Sequence, residues 1–454
     1  MKKNLKNILK HVSIISGLFI LTIVGVLLFL FNAESDTTDI LNEEHKTTTF
    51  TPFVKTANNS IVNRKQFELQ KAIKVAKNEK DFALVRTSKD YNKDIPFTID
   101  ERAGIVYRKQ YNGRRINICI TGVDSRMGSN YKLADANHVL SILIDKGEIE
   151  VTSIPRDTYA DAGMPDSTNQ NTIAVMRAAK GRKAYLRRIA QIAELDTIHY
   201  YLEFGFSQAM GIIEWLGYKN SKNTLQVLRS RKVFGGGDWQ RTYNQGKFIK
   251  QSMIKSFNNF DGIFADLVLM GGLSLTESNM KSGLLSSILK KLKQNGFGKP
   301  EDVTLRVRPE FAYKYKNFDF NDEEIIAQMS SKVDSYFDEK YGKNRVSTDS
   351  TIIVELDKAI TKANHADKTG KPYITISTLN TLFNQKIWLQ ITDKQARKKY
   401  RDKLKNLLVS AYYQKKDTLS AERVNNTIET ENNLFKMNKN LTKSNSQSAQ
   451  EYQN

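Results

Sequence analysis

Three short clusters in the middle of the chain place charge where packing alone would not ask for it. They are Gly122-Val-Asp-Ser-Arg126, followed by Asp135; Ser153-Ile-Pro-Arg-Asp157; and Arg229-Ser-Arg231 with Gly235-Gly-Gly-Asp238, Arg241 and Gln245. Their side chains suit one kind of ligand. Arginine offers a planar fork of donors that matches phosphate oxygens and stays charged. Two aspartates, Asp124 and Asp135, supply hard oxygen ligands of the kind that hold magnesium or manganese beside such phosphates. The chemistry indicated is the binding of a diphosphate with a divalent metal. Ordinary ion pairing accounts for any one of these residues but not for all of them together. Arg229 and Arg231 are expected to point the same way along one strand, an arrangement that is costly unless an anion lies between them.

Apolar runs border each cluster and are expected to be strands: residues 116–120, 139–144, 149–154 and 225–228. If such strands run parallel, the charges gather at one rim, where open α/β sheets bind ligands. Residues 172–195 have a helical pattern, with Arg177, Lys180, Arg182, Lys183, Arg187 and Arg188 on the polar side. A strand at 199–203 precedes a helix at 206–216, ended by Gly217. The three glycines at 235–237 give a mobile or tightly turned loop. They are not a phosphate-binding P-loop, since no Gly-Lys-Ser/Thr follows and no helix starts at the required spacing. From Arg241 onward a helix brings Arg241 and Gln245 to one face. Phe206, Met210, Ile213 and Trp215 read as core residues. The fold class is α/β, a central mixed sheet flanked by helices.

In their order and approximate spacing these motifs resemble those of the LytR-CpsA-Psr (LCP) family of bacterial cell-envelope glycopolymer transferases. The likeness covers roughly residues 115–255 and extends more loosely to about 330. It implies an LCP-like α/β sandwich after one N-terminal transmembrane helix. It also implies a magnesium-dependent phosphotransferase that moves a glycopolymer, such as teichoic acid or capsule, from a polyprenyl-pyrophosphate carrier to a peptidoglycan hydroxyl of a Gram-positive wall. Carried over by position, Asp124 and Asp135 are the metal ligands, and Arg156, Arg229, Arg231, Arg241 and Gln245 hold the pyrophosphate. Arg126, Asp157 and Asp238 match motif positions and complete the catalytic set. Apolar side chains in that family line a tunnel for the lipid tail. The chain departs from the pattern at Leu133 and Asn244, where the family usually has arginines. These departures imply altered substrate choice or reduced activity. They leave open a non-catalytic envelope-binding or regulatory protein that keeps the pocket, and a lipid pyrophosphate hydrolase.

The 454 residues allow two or three domains, and their net charge of +21 calls for an anionic partner. A membrane surface, pyrophosphates and wall polymers answer that as well as nucleic acid does, and nucleic acid, resting on charge alone, is not expected. The single cysteine, Cys119, reads as a small core residue. Five scattered histidines argue against zinc, and His138 is expected beside the site or in solvent. Four lysines precede an uncharged apolar run at 12–31, long enough at about 1.5 Å per residue to cross a bilayer core of roughly 30 Å. The positive-inside rule then puts the N-terminus in the cytoplasm and the main domain outside a single-pass anchor. A cleaved signal peptide is the competing reading, but the run is longer than a signal core.

By composition, residues 1–33 form the anchor and 34–60 a tether. Residues 61–114 are an accessory segment, with a helix at 63–78 and strands at 82–85, 95–99 and 104–107. Residues 115–330 form the main domain, and a strand at 303–307 lies within it. Residues 331–423 are a small basic α/β appendage with a strand at 373–377 and a helix at 393–413, and 424–454 are expected to be disordered. Ser252-Met-Ile-Lys255, Ser256-Phe-Asn258 and Lys368-Thr-Gly370 match penicillin-binding-protein patterns. The first two adjoin each other where separate elements are required, so the match is chance.

Overall fold

The strand β2 (Arg115–Asp124) is buried on both faces through Ile116–Cys119, as a central strand with a helical layer on each side must be. The structure is a computed structural model and describes residues 95–124, 127–128, 132–259, 272–342 and 348–451, with side chains to 435. Expectations for residues 12–31, 34–60, 63–78 and 82–85, and for Arg126, lie outside them. Among the described residues no helix is long and apolar enough to cross a membrane.

Six strands form a mixed sheet in the order β6-β5-β2-β3-β4-β7. The other five are β3 (Leu133–Leu143), β4 (Glu148–Ser153), β5 (Tyr200–Phe204), β6 (Glu277–Ser278) and β7 (Val303–Val307). The inner pairs β2–β3 and β3–β4 are antiparallel, whereas β2–β5 and β4–β7 are parallel. Because β3 runs against β2 and β4, its first residues share a rim with their last ones. Asp124, Asp135 and Arg156 therefore meet at one end of the sheet. Both outer strands are short. A separate two-stranded ribbon pairs β1 (Thr98–Asp100) with β8 (Tyr315–Asn317).

Two helices, α1 (Ile173–Ala179) and α2 (Gly181–Ile192), cover one face of the sheet, packing Tyr185 and Ile189 on Cys119 and Val139. The pattern at 172–195 is thus two helices, broken at Lys180–Gly181. Cys119 is fully buried, and burial pushes its thiol up to about 11. On the other face, Ile118, Ile142 and Val151 meet α5 (Gly237–Asn259) and α6 (Ser282–Gln294). A third core joins α3 (Phe206–Trp215), α4 (Ser221–Arg229) and α7 (Glu323–Tyr341). A main domain ending at residue 330 would cut α7, which packs on α4 along its length.

Several expected elements differ. Residues 225–228 lie in helix α4, not a strand: Asn220 caps it by accepting from the Asn223 N–H at 3.0 Å, and Ser221, Thr224, Leu225 and Leu228 are buried at helical spacing. Residues 104–107 are a turn and irregular chain, because the Asp100 carboxylate accepts from the Arg102 and Ala103 N–H groups and bends the backbone. Helix α5 starts at Gly237, a turn before Arg241.

The C-terminal region is all helical rather than α/β. It comprises α8 (Thr348–Lys368), α9 (Pro372–Asn384), a 3-10 turn (Ile387–Gln390), α10 (Lys394–Gln414) and α11 (Thr418–Glu451). The expected strand at 373–377 is the start of α9. Its β-branched residues follow a proline at the first helical position, and Thr375, Leu379, Leu382 and Phe383 are buried as one helical stripe. The supposedly disordered tail is also helix. Val424, Ile428, Glu431 and Leu434 are buried in α11, and Glu431 accepts from Trp388 Nε1 at 2.9 Å and pairs with Lys386 at 3.2 Å. Removing one partner of a buried pair strands the other charge. Glu431→Ala should therefore destabilise the protein by about 3–5 kcal/mol, read as a lower midpoint in chemical unfolding; an unchanged midpoint would refute the role given to α11.

Candidate functional site

Asp135 owes its position to a fault in strand pairing. Gly122 pairs with Ala136 and Val123 with Ala134, so Asp135 is an extra, unpaired residue in β3. Such a bulge re-aims a side chain, here towards the rim. Asp124, last in β2, faces Leu133 across the ladder. The two carboxylates are close enough to interact. Burial raises the Asp135 carboxyl above the usual aspartate range and Asp124 adds to this, against the pull of Arg156 and Arg241.

From Asp135 charges alternate through the site. Arg156 pairs with Asp135 and, at 3.2 Å, with Asp157; Asp157 pairs with Arg231; Arg231 lies 3.5 Å from Asp238; and Asp238 pairs with Arg241. Arg241 closes the circuit by donating to the Asp135 backbone carbonyl at 3.3 Å. Arg241 and Asp238 are both buried, one helical turn apart in α5. Burial draws the Arg241 guanidinium below the usual arginine range, and Asp238 acts against that. Three successive glycines with positive φ, Gly235 to Gly237, turn the chain so that this pair enters at the start of α5. Further along α5, Gly246 permits close approach to the sheet, since a Cβ there would sit 2.3 Å from Ser153 Oγ.

Arg229 and Arg231 do not lie along one strand. Arg229 ends α4, exposed, with its guanidinium 4.7 Å from the centre of the Phe206 ring, whereas Arg231 follows the helix and is engaged by Asp157 and Asp238. Gln245 donates to the Leu228 carbonyl at 2.9 Å, one residue before Arg229. His138, expected beside the site or in solvent, is buried with Nδ1 2.8 Å from Ser153 Oγ. The two departures from the motif pattern fall differently. Asn244 is turned away from the site, accepting from Gln240 at 2.8 Å. Beside Leu133, Lys132 reaches Glu203 at 2.9 Å and Glu277 at 2.8 Å. Glu203 is also held bidentately by Arg177; burial would raise its carboxyl, but these partners hold it down to about 2. Arg177 is thus a buried partner, not part of a solvated helix face.

Behind the charged rim lies a cavity of about 670 Å³ between the sheet and helices α3, α5 and α6. Asp124, Asp135, His138, Arg229, Arg241 and Gln245 line it at the rim. Ile120, Leu202, Phe206, Ile213, Met253 and Leu289 are among its apolar walls, and Lys290, Lys293 and Phe297 stand at the other end of the sheet. Met210 and Ile213 lie in the core as expected, and Ile213 also borders the cavity together with the partly buried Phe206 and Trp215. The signal for this was present in α5: Phe248, Ile249, Ser252, Met253, Ser256 and Phe257 form a wider apolar and small-residue face than one packing stripe needs. Phe206 beneath Arg229 had no sequence signal. Ser252, from the chance motif, bonds to Tyr218 at 3.0 Å.

A carboxylate pair facing arginines at the mouth of an apolar cavity fits an amphiphile with an anionic head. The two hard-oxygen donors, with Asp135 raised partly by Asp124, are suited to a divalent cation between them. No group of three or more metal-type ligands occurs among the described residues.

Residues 69–217 match the family model described as LytR_cpsA_psr family, a match that ends before Arg229. No curated protein matches the chain. Among solved structures, Bacillus subtilis TagV is 15% identical, with 49% of this chain and 98% of that one covered and a TM-score of 0.36. The protein gbs0355 of Streptococcus agalactiae is 14% identical, covering 49% and 88%, with a TM-score of 0.36. TagT bound to LI-WTA is 12% identical, covering 51% and 95%, with a TM-score of 0.32.

Burial lowers His138 from 6.5 to about 4. Between these values the unfolded chain takes up a proton that the folded chain refuses, so stability falls as pH drops through that window and is independent of His138 above and below it. At about 1.4 kcal/mol per pH unit the total is at most roughly 3–4 kcal/mol. His138→Gln should flatten unfolding midpoints measured between pH 6.5 and 4; an unchanged slope would assign the acid sensitivity elsewhere.

Proposed function

Because the chain carries a LytR_cpsA_psr family domain, we propose that it is a cell-wall glycopolymer transferase whose donor is a polyprenyl-pyrophosphate-linked polymer. One observation carries the reading: the apolar cavity opens at a rim lined by Arg229, Arg241, Asp124 and Asp135, so a lipid tail and a pyrophosphate head have adjoining places. In this reading the 12–31 run anchors the chain and the rim works outside the membrane, where peptidoglycan supplies the acceptor hydroxyl.

Asp124 and Asp135 would hold a magnesium ion, which supplies positive charge against the pyrophosphate oxygens when bound. Arg229 lies at the rim, its ring contact with Phe206 leaving donors for phosphate. Arg241 brings a buried charge to the same mouth. The acceptor hydroxyl attacks the phosphorus next to the glycopolymer, a new phosphodiester forms, and the bond to the bridging oxygen breaks. Lipid monophosphate leaves, and the hydroxyl proton passes to solvent or base. Arginines fixed by the ion-pair circuit stabilise charge growing on the leaving phosphate without having to reorganise. Asp157, bridged by Arg156 and Arg231, orients them rather than accepting that proton. TagT's structure is bound to LI-WTA, and a ligand of that kind is the donor we would offer first.

Release of lipid monophosphate from a synthetic polyprenyl-pyrophosphate glycan, with and without magnesium and peptidoglycan, tests the proposal. Asp124→Ala, Asp135→Ala and Arg229→Ala should each lower turnover by about 100-fold or more. Full activity in either aspartate variant would sink the metal assignment. Ala209→Trp, which fills the cavity, should abolish lipid binding while short-chain analogues still bind. Turnover without an acceptor would indicate a hydrolase, and tight binding without turnover a binding protein.

A further inference from the structure

The C-terminal helices grip the main domain at residues 127–128, shortly beyond Asp124, at α3, and at α4, the helix that ends in Arg229. Gln385, just after α9, accepts a hydrogen bond from the Gly128 N–H at 2.9 Å, and Leu382 lies against the same glycine. Met127 packs into the core of the helical bundle. Next along the chain, Leu389 occupies the space above Gly211 of α3, and Gln390 donates to Ser207 at 2.8 Å in a buried contact. Helix α3 begins with Phe206, which lies beneath Arg229. Arg397 pairs with Glu214 at 2.6 Å at the far end of α3, and Asp349 pairs with Lys222 at 3.0 Å on α4, the helix that ends in Arg229.

The corner making these contacts is itself tightly held. Lys386 adopts a positive φ of 50°, and its ammonium pairs with Glu431, which also binds the Trp388 indole. A non-glycine residue persists in that conformation only where its surroundings over-determine it. The corner is thus a rigid part aimed at Gly128 and α3, supported from α11.

We infer that Gln385 is a positioning residue for the reaction centre. It fixes the turn four residues beyond Asp124, while Leu389 and Gln390 fix the helix that seats Arg229. This rests on the reading of Asp124 and Arg229 as reaction-centre residues. The bundle then acts on catalysis by setting where a carboxylate and a guanidinium stand relative to each other, without touching substrate.

The test uses the full chain in detergent micelles, comparing Gln385→Ala with Gln385→Glu, which keeps an acceptor oxygen. Three quantities are read: amide hydrogen exchange at Gly128, kcat and KM on the synthetic lipid-pyrophosphate glycan, and the unfolding midpoint. In Gln385→Ala, Gly128 should exchange faster and kcat should fall roughly tenfold to a hundredfold, as for a small misplacement of reacting groups. KM for the lipid and the midpoint should hold, and Gln385→Glu should restore both exchange and kcat. The inference is overturned if Gly128 exchange is unchanged, if it quickens with kcat intact, or if kcat falls only along with the midpoint. Absence of turnover in the unsubstituted chain shows before any variant is compared and overturns the proposed function together with this inference. Unchanged Gly128 exchange in a chain that turns over overturns the positioning alone.

Discussion

Arg241 enters the interior with its charge because Asp238, one helical turn earlier, enters with it. Neither would be tolerable there alone, since an unpaired buried ion costs several kcal/mol. The pair ties the start of α5 to Arg231 and, through the Asp135 carbonyl, to the bulged end of β3. Arg156 and Asp157 complete the link to β4. Three stretches separated in sequence, at 135, 156–157 and 231–241, are thereby locked into one rim by opposite charges. The arginines are held in place at that rim by aspartates of equal number before any ligand arrives, and ligand binding does not have to assemble them.

The same rim is the lid of an apolar space. Helices α5 and α6 stand off the sheet enough to leave a cavity, while Gly246 brings α5 against β4 at one point. Close contact at the charged end and separation farther along give the site two environments within one helix length. A ligand with a charged head and a hydrocarbon tail is held by both, and a purely polar or purely apolar ligand satisfies only one.

How much of this was legible depended on whether the signal was local. The strands around Cys119, Val139 and Val151 were readable because long apolar runs ended in charge. Leu225–Leu228 was not, because a four-residue apolar run fits a strand or a buried helix, and the deciding residue was the cap Asn220. The β-branched Ile374-Thr-Ile376 suggested a strand until Pro372 and the spacing to Leu379 and Leu382 are weighed. In the polar tail, Val424, Ile428 and Leu434 did carry helical spacing, but composition hid it. The site's residue types could be read from the motifs. Its circuit could not, because the partnerships Asp157–Arg231 and Gln385–Gly128 join residues that only the fold brings together.

The short outer strands bear on how copies of this chain meet one another. Strand β6 offers two residues, and its Glu277 is already held by Lys132 and Arg182. On β7 the Val303 carbonyl is taken by Lys250 and the Val307 N–H by the Ala103 carbonyl, with Pro309 following soon after. A neighbour's strand meets a two-residue edge on one side and an edge occupied at both ends on the other. Copies of one chain at high local concentration collide often, a condition that favours edge-to-edge aggregation. This sheet withholds the template on which such growth would start.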